Sequence, residues 1–326
     1  MKREYTPAQQ LFVQLLVSGG LFAANEWILW RWRGEDGAGW LALFLALCML
    51  WSVGKMLRAH SIKDLRSQGD KAAIFQGLIL LWMLLVLVLK LGDPILYPPP
   101  TLVMALLVKE FPRFLVNFRH SILLLAISFS LGLVTAFPLG LLLAASQRLR
   151  SALDSYIKIL SLISPIAYIP YIIGIMPTFR AASIFVVFTG TFWPILKWTI
   201  YGALHFSGDY ILTAKLLRVQ GWRYYTRVLI PGIMPEVLSG VSQSLAGGFA
   251  VLVAAEMIGS REGLGFIIKY FADFLNYHQV IVGILYLGLS VCLVTGLFER
   301  LQRQILSWQV KERKRSRWTF SENMRG

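Results

Sequence analysis

The sequence predicts an all-α integral membrane protein of about eight transmembrane helices, on three observations. Of the 326 residues 56% are hydrophobic and only 15% charged, with a mean hydropathy of +0.62; soluble domains average about 45–50% and about 25%. Apolar runs long enough to cross a hydrocarbon layer of about 30 Å recur along the whole chain. The 32 basic and 17 acidic residues leave a net charge of +15, unevenly divided between the two sets of connecting loops, as membrane topology requires. Together these exclude soluble, disordered and fibrous chains.

Taken in order, the expected spans are Leu11–Trp30, Ala38–Gly54, Ala72–Leu91, Arg119–Ala145, Ser155–Met176, Ala181–Leu204, Glu236–Ile258 and Gln279–Phe298. The first follows Lys2 and Arg3 as a signal peptide would, but its apolar run continues to Trp30, and it is read as a retained helix. The second is short for a span. The fifth carries Pro165 and Pro170, each of which removes a backbone donor and breaks helical geometry.

Eight spans put both termini on one side. With both termini inside, the inner segments hold 21 Lys and Arg and the outer ones 8, while Lys90, Lys158 and Lys197 fall within spans. The excess favours cytoplasmic termini. The basic residues are spread over every inner loop, with no aromatic-interleaved patch, so nucleic acid is not an expected partner. The densest cluster, Lys311–Arg317, is a solvated flank holding the last helix in place, compatible with contact to anionic lipid. Cys48 and Cys292 lie in apolar runs, which argues against a disulfide framework. The four histidines have no partner at metal-ligand spacing, so no metal site is expected.

Two loops are long. The outer one, Gly92–Phe118, reads as an amphipathic helix over Leu102–Leu115, expected along the interface. The inner one, His205–Pro235, reads as a helix over Asp209–Gln220, ended by Gly221, then a short amphipathic piece over Trp222–Ile230 that stops at Pro231. A helix with an apolar stripe but no spanning length lies at a membrane surface or in a partner's groove; a plain linker between spans is the competing reading.

This loop, with the segment Ala254–Ile268 (AAEMIGSREGLGFII) beyond it, resembles permease subunits of binding-protein-dependent ABC importers, in particular the nitrate/sulfonate/taurine group. The family's inner-loop signature is Glu-Ala-Ala, three residues, Gly, nine residues, then Ile-x-Leu-Pro. With Pro231 as its proline, Ala214, Val228 and Ile230 fit, whereas Leu212, Thr213 and Arg218 replace the glutamate, first alanine and glycine. Glu256, Gly259, Gly263, Leu264 and Gly265 follow the family's Ala-Glu-x-Ile-Gly…Gly-Leu-Gly run almost throughout. Ser164-Pro165, Ile169-Pro170 and Gly190-Thr191-Phe192-Trp193-Pro194 resemble proline-bearing stretches at matching places, while the asparagine–threonine pair usual after the last is half kept, as Trp198-Thr199. The resemblance covers roughly residues 72 to 308.

The resemblance implies a six-helix type I ABC importer permease core at 72–308, preceded by a two-helix extension at 1–71 and followed by a basic cytoplasmic tail at 309–326. It also implies a multi-pass protein of the bacterial cytoplasmic membrane. Expected partners are cytoplasmic ABC ATPase subunits, an extracytoplasmic solute-binding protein and a second permease copy, a homodimer before a heterodimer, besides the bilayer itself. No GxxxxGK[ST] occurs, so the chain is expected to be no enzyme and to bind no cofactor, with ATP and Mg held by the ATPase. The ATPase-coupling residues would be Ile211, Leu212, Thr213, Ala214, Lys215, Leu217, Arg218, Gly221, Trp222 and Pro231.

A path or gate for the solute would draw on Ser164, Pro165, Tyr168, Pro170, Thr191, Trp193, Lys197, Gln243 and Glu256. For the small polar residues, packing between helices competes with that reading. Lys197 either attracts an anionic solute or snorkels to headgroups, and Glu256 acts in an outer gate or makes a plain ion pair, for instance with Arg261. The solute implied is small and anionic or heterocyclic. Competing functions are a coupling-impaired partner in a heterodimeric transporter and an integral-membrane lipid-modifying enzyme. The thin spread of carboxylates argues against the enzyme.

Overall fold

The computed structural model describes residues 7–32, 37–58, 62–90, 92–93, 95–206, 208–219 and 221–306. The basic cluster Lys311–Arg317, the N-terminal Lys2 and Arg3, and Gln220 lie outside the described residues. Among those described, every regular element is helical. The helices are α1 (Pro7–Arg31), α2 (Ala38–Leu57), α3 (Ile62–Met83, extended by a π turn Leu84–Val88), α4 (Pro100–Ala145), α5 (Gln147–Leu162), α6 (Ile169–Ile175), α7 (Phe179–Leu204), α8 (Gly208–Leu216), α9 (Trp222–Tyr224), α10 (Ile230–Gly259), α11 (Leu264–Asp273) and α12 (Tyr277–Ile305).

Among the described residues, seven helices have the length and composition to cross a membrane. An eighth crossing is reached only if the pair Gln147–Leu162 and Pro165–Ile175, bent by 74°, counts as one. The chain is thus an integral membrane protein of the expected class, with four local corrections. The fifth expected span, Ser155–Met176, is not one helix. Ile163 and Ser164 are extended and Pro165 opens a 3-10 turn (Pro165–Tyr168), since a residue before proline is driven out of the helical region. Lys158 therefore sits on α5, an amphipathic helix with no buried residue, where it pairs with Asp154 at 2.6 Å instead of lying in an apolar span.

The expected interfacial helix Leu102–Leu115 has no separate existence, because α4 runs unbroken for 46 residues. That is about 69 Å at 1.5 Å per residue, over twice the hydrocarbon thickness. The helix expected over Asp209–Gln220 ends at Leu216. Finally, Pro231 stops nothing. A π turn, Tyr225–Leu229, leads straight into α10, with Pro231 in its first turn and Pro235 inside it. Proline is tolerated in a first turn, where its missing N–H is no loss.

The chain divides into two compact units. The first comprises residues 1–114 and 270–285. In it α1, α2 and α3 pack on one another around Ile28, Leu29, Leu41, Leu45, Met83 and Leu87. Polar contacts join the same helices: Gln14 Nε2 donates to Asp70 Oδ1 at 2.9 Å, and Asn25 Nδ2 to the Gln76 carbonyl at 3.2 Å.

The second unit comprises residues 115–269 and 286–326, and α7 against α10 is its main contact. One apolar cluster centres on Val186, Val187, Leu245, Phe249 and Leu252, another on Ile195, Leu196, Ile233, Val237 and Val241. Lipid removes the hydrophobic drive between helices, so close packing has to hold them, and small residues permit it. Thr191 of α7 is fully buried. A Cβ at Gly132 of α4 would stand 2.6 Å from its Oγ1, and one at Gly248 of α10 would stand 2.7 Å from its Cγ2. Thr199 sits in the same way against Gly140. Both hydroxyls bond carbonyls of their own helix, at 3.0 and 2.8 Å, so the Thr191 oxygen that faces Gly132 keeps a partner while its methyl packs on Gly248.

Gly248→Val should therefore cost about 1–3 kcal/mol through overpacking. Gly247→Val, at a neighbouring position with open space around it, should be nearly silent. Thermal unfolding of the detergent-solubilised variants tests the contrast, and equal losses would refute the notch.

Candidate functional site

The expected site residues fall near both ends of α10, along its contact with α7 and at the broken segment before α7, all within the second unit. Beyond the C-terminal end of α10 the chain turns through Ser260–Gly263 into α11. Glu256, one turn before that end, is 1% exposed. Its Oε1 accepts from Ser121 Oγ of α4 at 2.7 Å and its Oε2 from the Gly265 N–H at 2.8 Å. Ser121 Oγ in turn accepts from the Leu264 N–H at 2.9 Å, and Asn117 Oδ1 from the Gly263 N–H at 2.9 Å. The turn and the start of α11 are thereby tied to α4 through four hydrogen bonds around one carboxylate. The ion pair with Arg261 is not the arrangement found.

The glycines of this segment have steric reasons. Gly263 has φ +112°, and a side chain there would collide with the Glu256 carboxylate. At Gly265 it would meet the Val253 carbonyl and Glu256 Cβ. Beside the turn lies a cavity of about 250 Å³, lined among others by His120, Phe179, Arg180, Glu256, Arg261 and Glu262. His120 Nδ1 lies 2.8 Å from Glu262 Oε2, both side chains well exposed. Such a contact is worth little energetically.

Near the N-terminal end of α10 lies the loop around α8. Ala214 is buried, whereas Leu212, Leu216, Leu217 and Trp222 are 60–83% exposed. Thr213 Oγ1 bonds the Asp209 carbonyl at 2.8 Å. Helix α8 closes at Arg218, which takes φ +55°. The Arg218 N–H donates to the Lys215 carbonyl at 3.0 Å and the Val219 N–H to the Ala214 carbonyl at 2.9 Å. That is a Schellman ending, which glycine usually provides. Gly221, the residue the sequence nominated as the cap, has φ +61° and instead precedes α9.

Between the two ends, Trp198 Nε1 of α7 donates to Gln243 Oε1 of α10 at 2.7 Å. Lys197 is exposed on α7, and Trp193 is half-buried with its ring edge-on to Phe192. At the broken segment, Tyr168 Oη and Thr189 Oγ1 are 2.5 Å apart. Ser164 and Pro170 are exposed, and Pro165 is half-buried. Thr191 belongs to the packing described above. Sequence reasoning missed Ser121, Asn117 and the role of Trp198. Ser121 had a signal, as a hydroxyl near the start of an apolar span, but no spacing rule connects it with Glu256, 135 residues on.

The second unit thus has an exposed apolar loop near one end of α10 and a hydrogen-bonded carboxylate near the other. Residues 136–307 match the family described as "Binding-protein-dependent transport system inner membrane component", more than half of the chain, and the chain belongs to that family. Among its relatives, the nitrate import permease protein NrtB of Leptolyngbya laminosa is 28% identical over 53% of this chain and 62% of its own length. The bicarbonate transport system permease protein CmpB of Synechococcus elongatus is 29% identical over 55% and 64%. The taurine transport system permease protein TauC of Escherichia coli is 26% identical over 68% and 84%. The chain thus matches less than two thirds of the length of the nitrate and bicarbonate relatives named here.

Ser121→Ala removes one donor to Glu256 and the acceptor of Leu264, and should cost about 1–3 kcal/mol. Gly263→Ala should cost about as much through its φ. Both losses should appear as faster hydrogen exchange at Leu264 and Gly265. Arg218→Gly should act oppositely, releasing roughly 1 kcal/mol and slowing exchange at Val219.

Proposed function

We propose that this chain is the transmembrane subunit of an ATP-driven importer of the bacterial cytoplasmic membrane, with both termini in the cytoplasm. It passes a small anion or heterocycle handed over by an extracytoplasmic binding protein, and pairs with a second copy of itself. A separate ABC ATPase, carrying ATP and Mg, drives it through the loop 205–235. The exposed side chains Leu212, Leu216, Leu217 and Trp222 carry this reading. Leu212 and Leu216 lie on α8, which Ala214 holds to the protein, Leu217 follows its end and Trp222 opens α9; large apolar side chains left exposed in this way suit a partner's groove. The relatives named for nitrate, bicarbonate and taurine favour a small oxyanion or sulfonate. Lys197, exposed on α7 near the Trp198–Gln243 pair, would supply the attraction.

Helix α10 suits the transmission. Its 30 residues run unbroken from the loop to the turn that Glu256 holds, about 45 Å at 1.5 Å per residue. Motion at the loop would reach the turn as rigid-body rocking, which is what alternating access requires. A second reading has its own observation. Leu212 and Arg218 replace signature residues, and Arg218 holds a positive φ, which suits a weakly coupled partner in a heterodimer.

Leu217 is 71% exposed, so Leu217→Asp should leave insertion and unfolding temperature unchanged. In proteoliposomes with the ATPase and binding protein, it should lower uptake and ATPase stimulation by roughly 30-fold, the effect of losing a contact worth about 2 kcal/mol. Unchanged uptake would refute the coupling role. Co-purification of two different permease chains would favour the heterodimer.

A further inference from the structure

The first unit holds a largely apolar cleft edged by two lysines and two glutamines that the transport reading does not use. It lies between the last turns of α2 and the first half of α3, has a volume of about 330 Å³, and is lined by Cys48, Trp51, Ser52, Lys55, Gln68, Lys71, Ala72, Phe75 and Gln76. Three features mark it as built. Lys55 and Lys71 come from different helices, and among the described residues no carboxylate pairs with either. Lys55 Nζ rests 3.7 Å from the centroid of the Trp51 ring. Gln76, 1% exposed, has an Oε1 that accepts no hydrogen bond; its Nε2 has only the Met49 sulfur at 3.4 Å.

A buried polar atom without a partner is costly and demands an explanation. In a membrane protein it points to function before packing. The two ammonium groups call for an anion, and the orphan carbonyl oxygen calls for a neutral donor. Lys71 is the last charged residue of α3 before an apolar run that reaches Val88, within the span Asp64–Val88. That places the cleft at headgroup depth, with Trp51 as the interfacial aromatic.

We propose that this cleft is a headgroup site for an anionic phospholipid of the phosphatidylglycerol kind. Lys55 and Lys71 hold the phosphodiester, and a glycerol hydroxyl donates to Gln76 Oε1. A choline headgroup has no donor and brings a cation towards two lysines, so phosphatidylcholine is rejected. An ethanolamine ammonium is disfavoured by the same repulsion. The site lies outside the family match, which begins at residue 136, and stands or falls independently of the transport reading.

The test uses the full chain in detergent, with lipid binding followed by native mass spectrometry and by the unfolding midpoint. Dioleoyl-phosphatidylglycerol should bind well above dioleoyl-phosphatidylcholine. The double variant Lys55→Gln, Lys71→Gln should weaken it by roughly 30-fold, two lysines each contributing as a basic residue near an anionic surface does. Gln76→Leu should weaken phosphatidylglycerol several-fold while leaving dioleoyl-phosphatidylmethanol, the same phosphodiester without hydroxyls, unchanged. The midpoint in phosphatidylcholine confirms that each variant is folded. Equal binding of phosphatidylglycerol and phosphatidylcholine, or equal phosphatidylglycerol binding by the wild type and the double variant, would overturn the proposal. Soluble glycerophosphoglycerol binding as tightly as the lipid would overturn the lipid assignment in favour of a free phosphodiester.

Discussion

The second unit depends on the close approach of α7 to α4 and α10 across Thr191. Water does not press these helices together, so their association rests on contact area, and contact area rests on having no side chain where two backbones meet. Gly132 and Gly248 supply that absence on either side of one threonine, and Gly140 repeats it against Thr199. The hydroxyls turn back to their own helices, so no polar atom is stranded by the burial. From this geometry follow the two apolar clusters, one on each side of the notch, and the fixed direction of α10.

Fixing α10 fixes what hangs on it. At its C-terminal end each oxygen of the Glu256 carboxylate accepts one hydrogen bond, from a hydroxyl and from an amide, and the same hydroxyl accepts a second amide. Each link orients the next. Removing one donor leaves a buried oxygen unpaired, which costs more than the bond itself contributes. The turn 260–263 is therefore stiff although it is not regular structure. At the other end, the π turn at Tyr225–Leu229 absorbs the register change before Pro231, so the loop enters the helix without a break. A single rigid element consequently spans the distance between the exposed loop and the held turn, whatever moves it.

Much of this was legible in the sequence, for physical reasons that differ by element. Long apolar runs declare spans because the bilayer sets their length, and the pair Pro165 and Pro170 declares a break because proline removes donors. The run around Glu256 was legible through its resemblance to the family's motif, and the structure gives Gly263 and Gly265 their steric reason. Three things were not. Helix α4 continues through Pro112 and Pro138, where local rules would end or bend it, because neighbouring turns keep the chain helical. Pro231 was read as a stop, since nothing in the sequence announces a π turn. Ser121 and Asn117 were missed because their relation to Glu256 and Gly263 exists only once α4 lies beside α10.

Arg218 shows what a replaced signature position does and does not change. The family's glycine falls at the residue that closes α8, and the structure puts that residue at φ +55°, a conformation that costs an L-residue about 1–2 kcal/mol. The ending is kept because it satisfies the Ala214 and Lys215 carbonyls, at about 0.5–1.5 kcal/mol per bond. The two terms are of equal size, so the helix end forms with either residue. What the substitution alters is the margin: with glycine the ending is favourable outright, with arginine it is nearly balanced and relies on Ala214 being buried. The loop keeps its shape without the glycine, and it does so with less stability in reserve to resist a force applied to it.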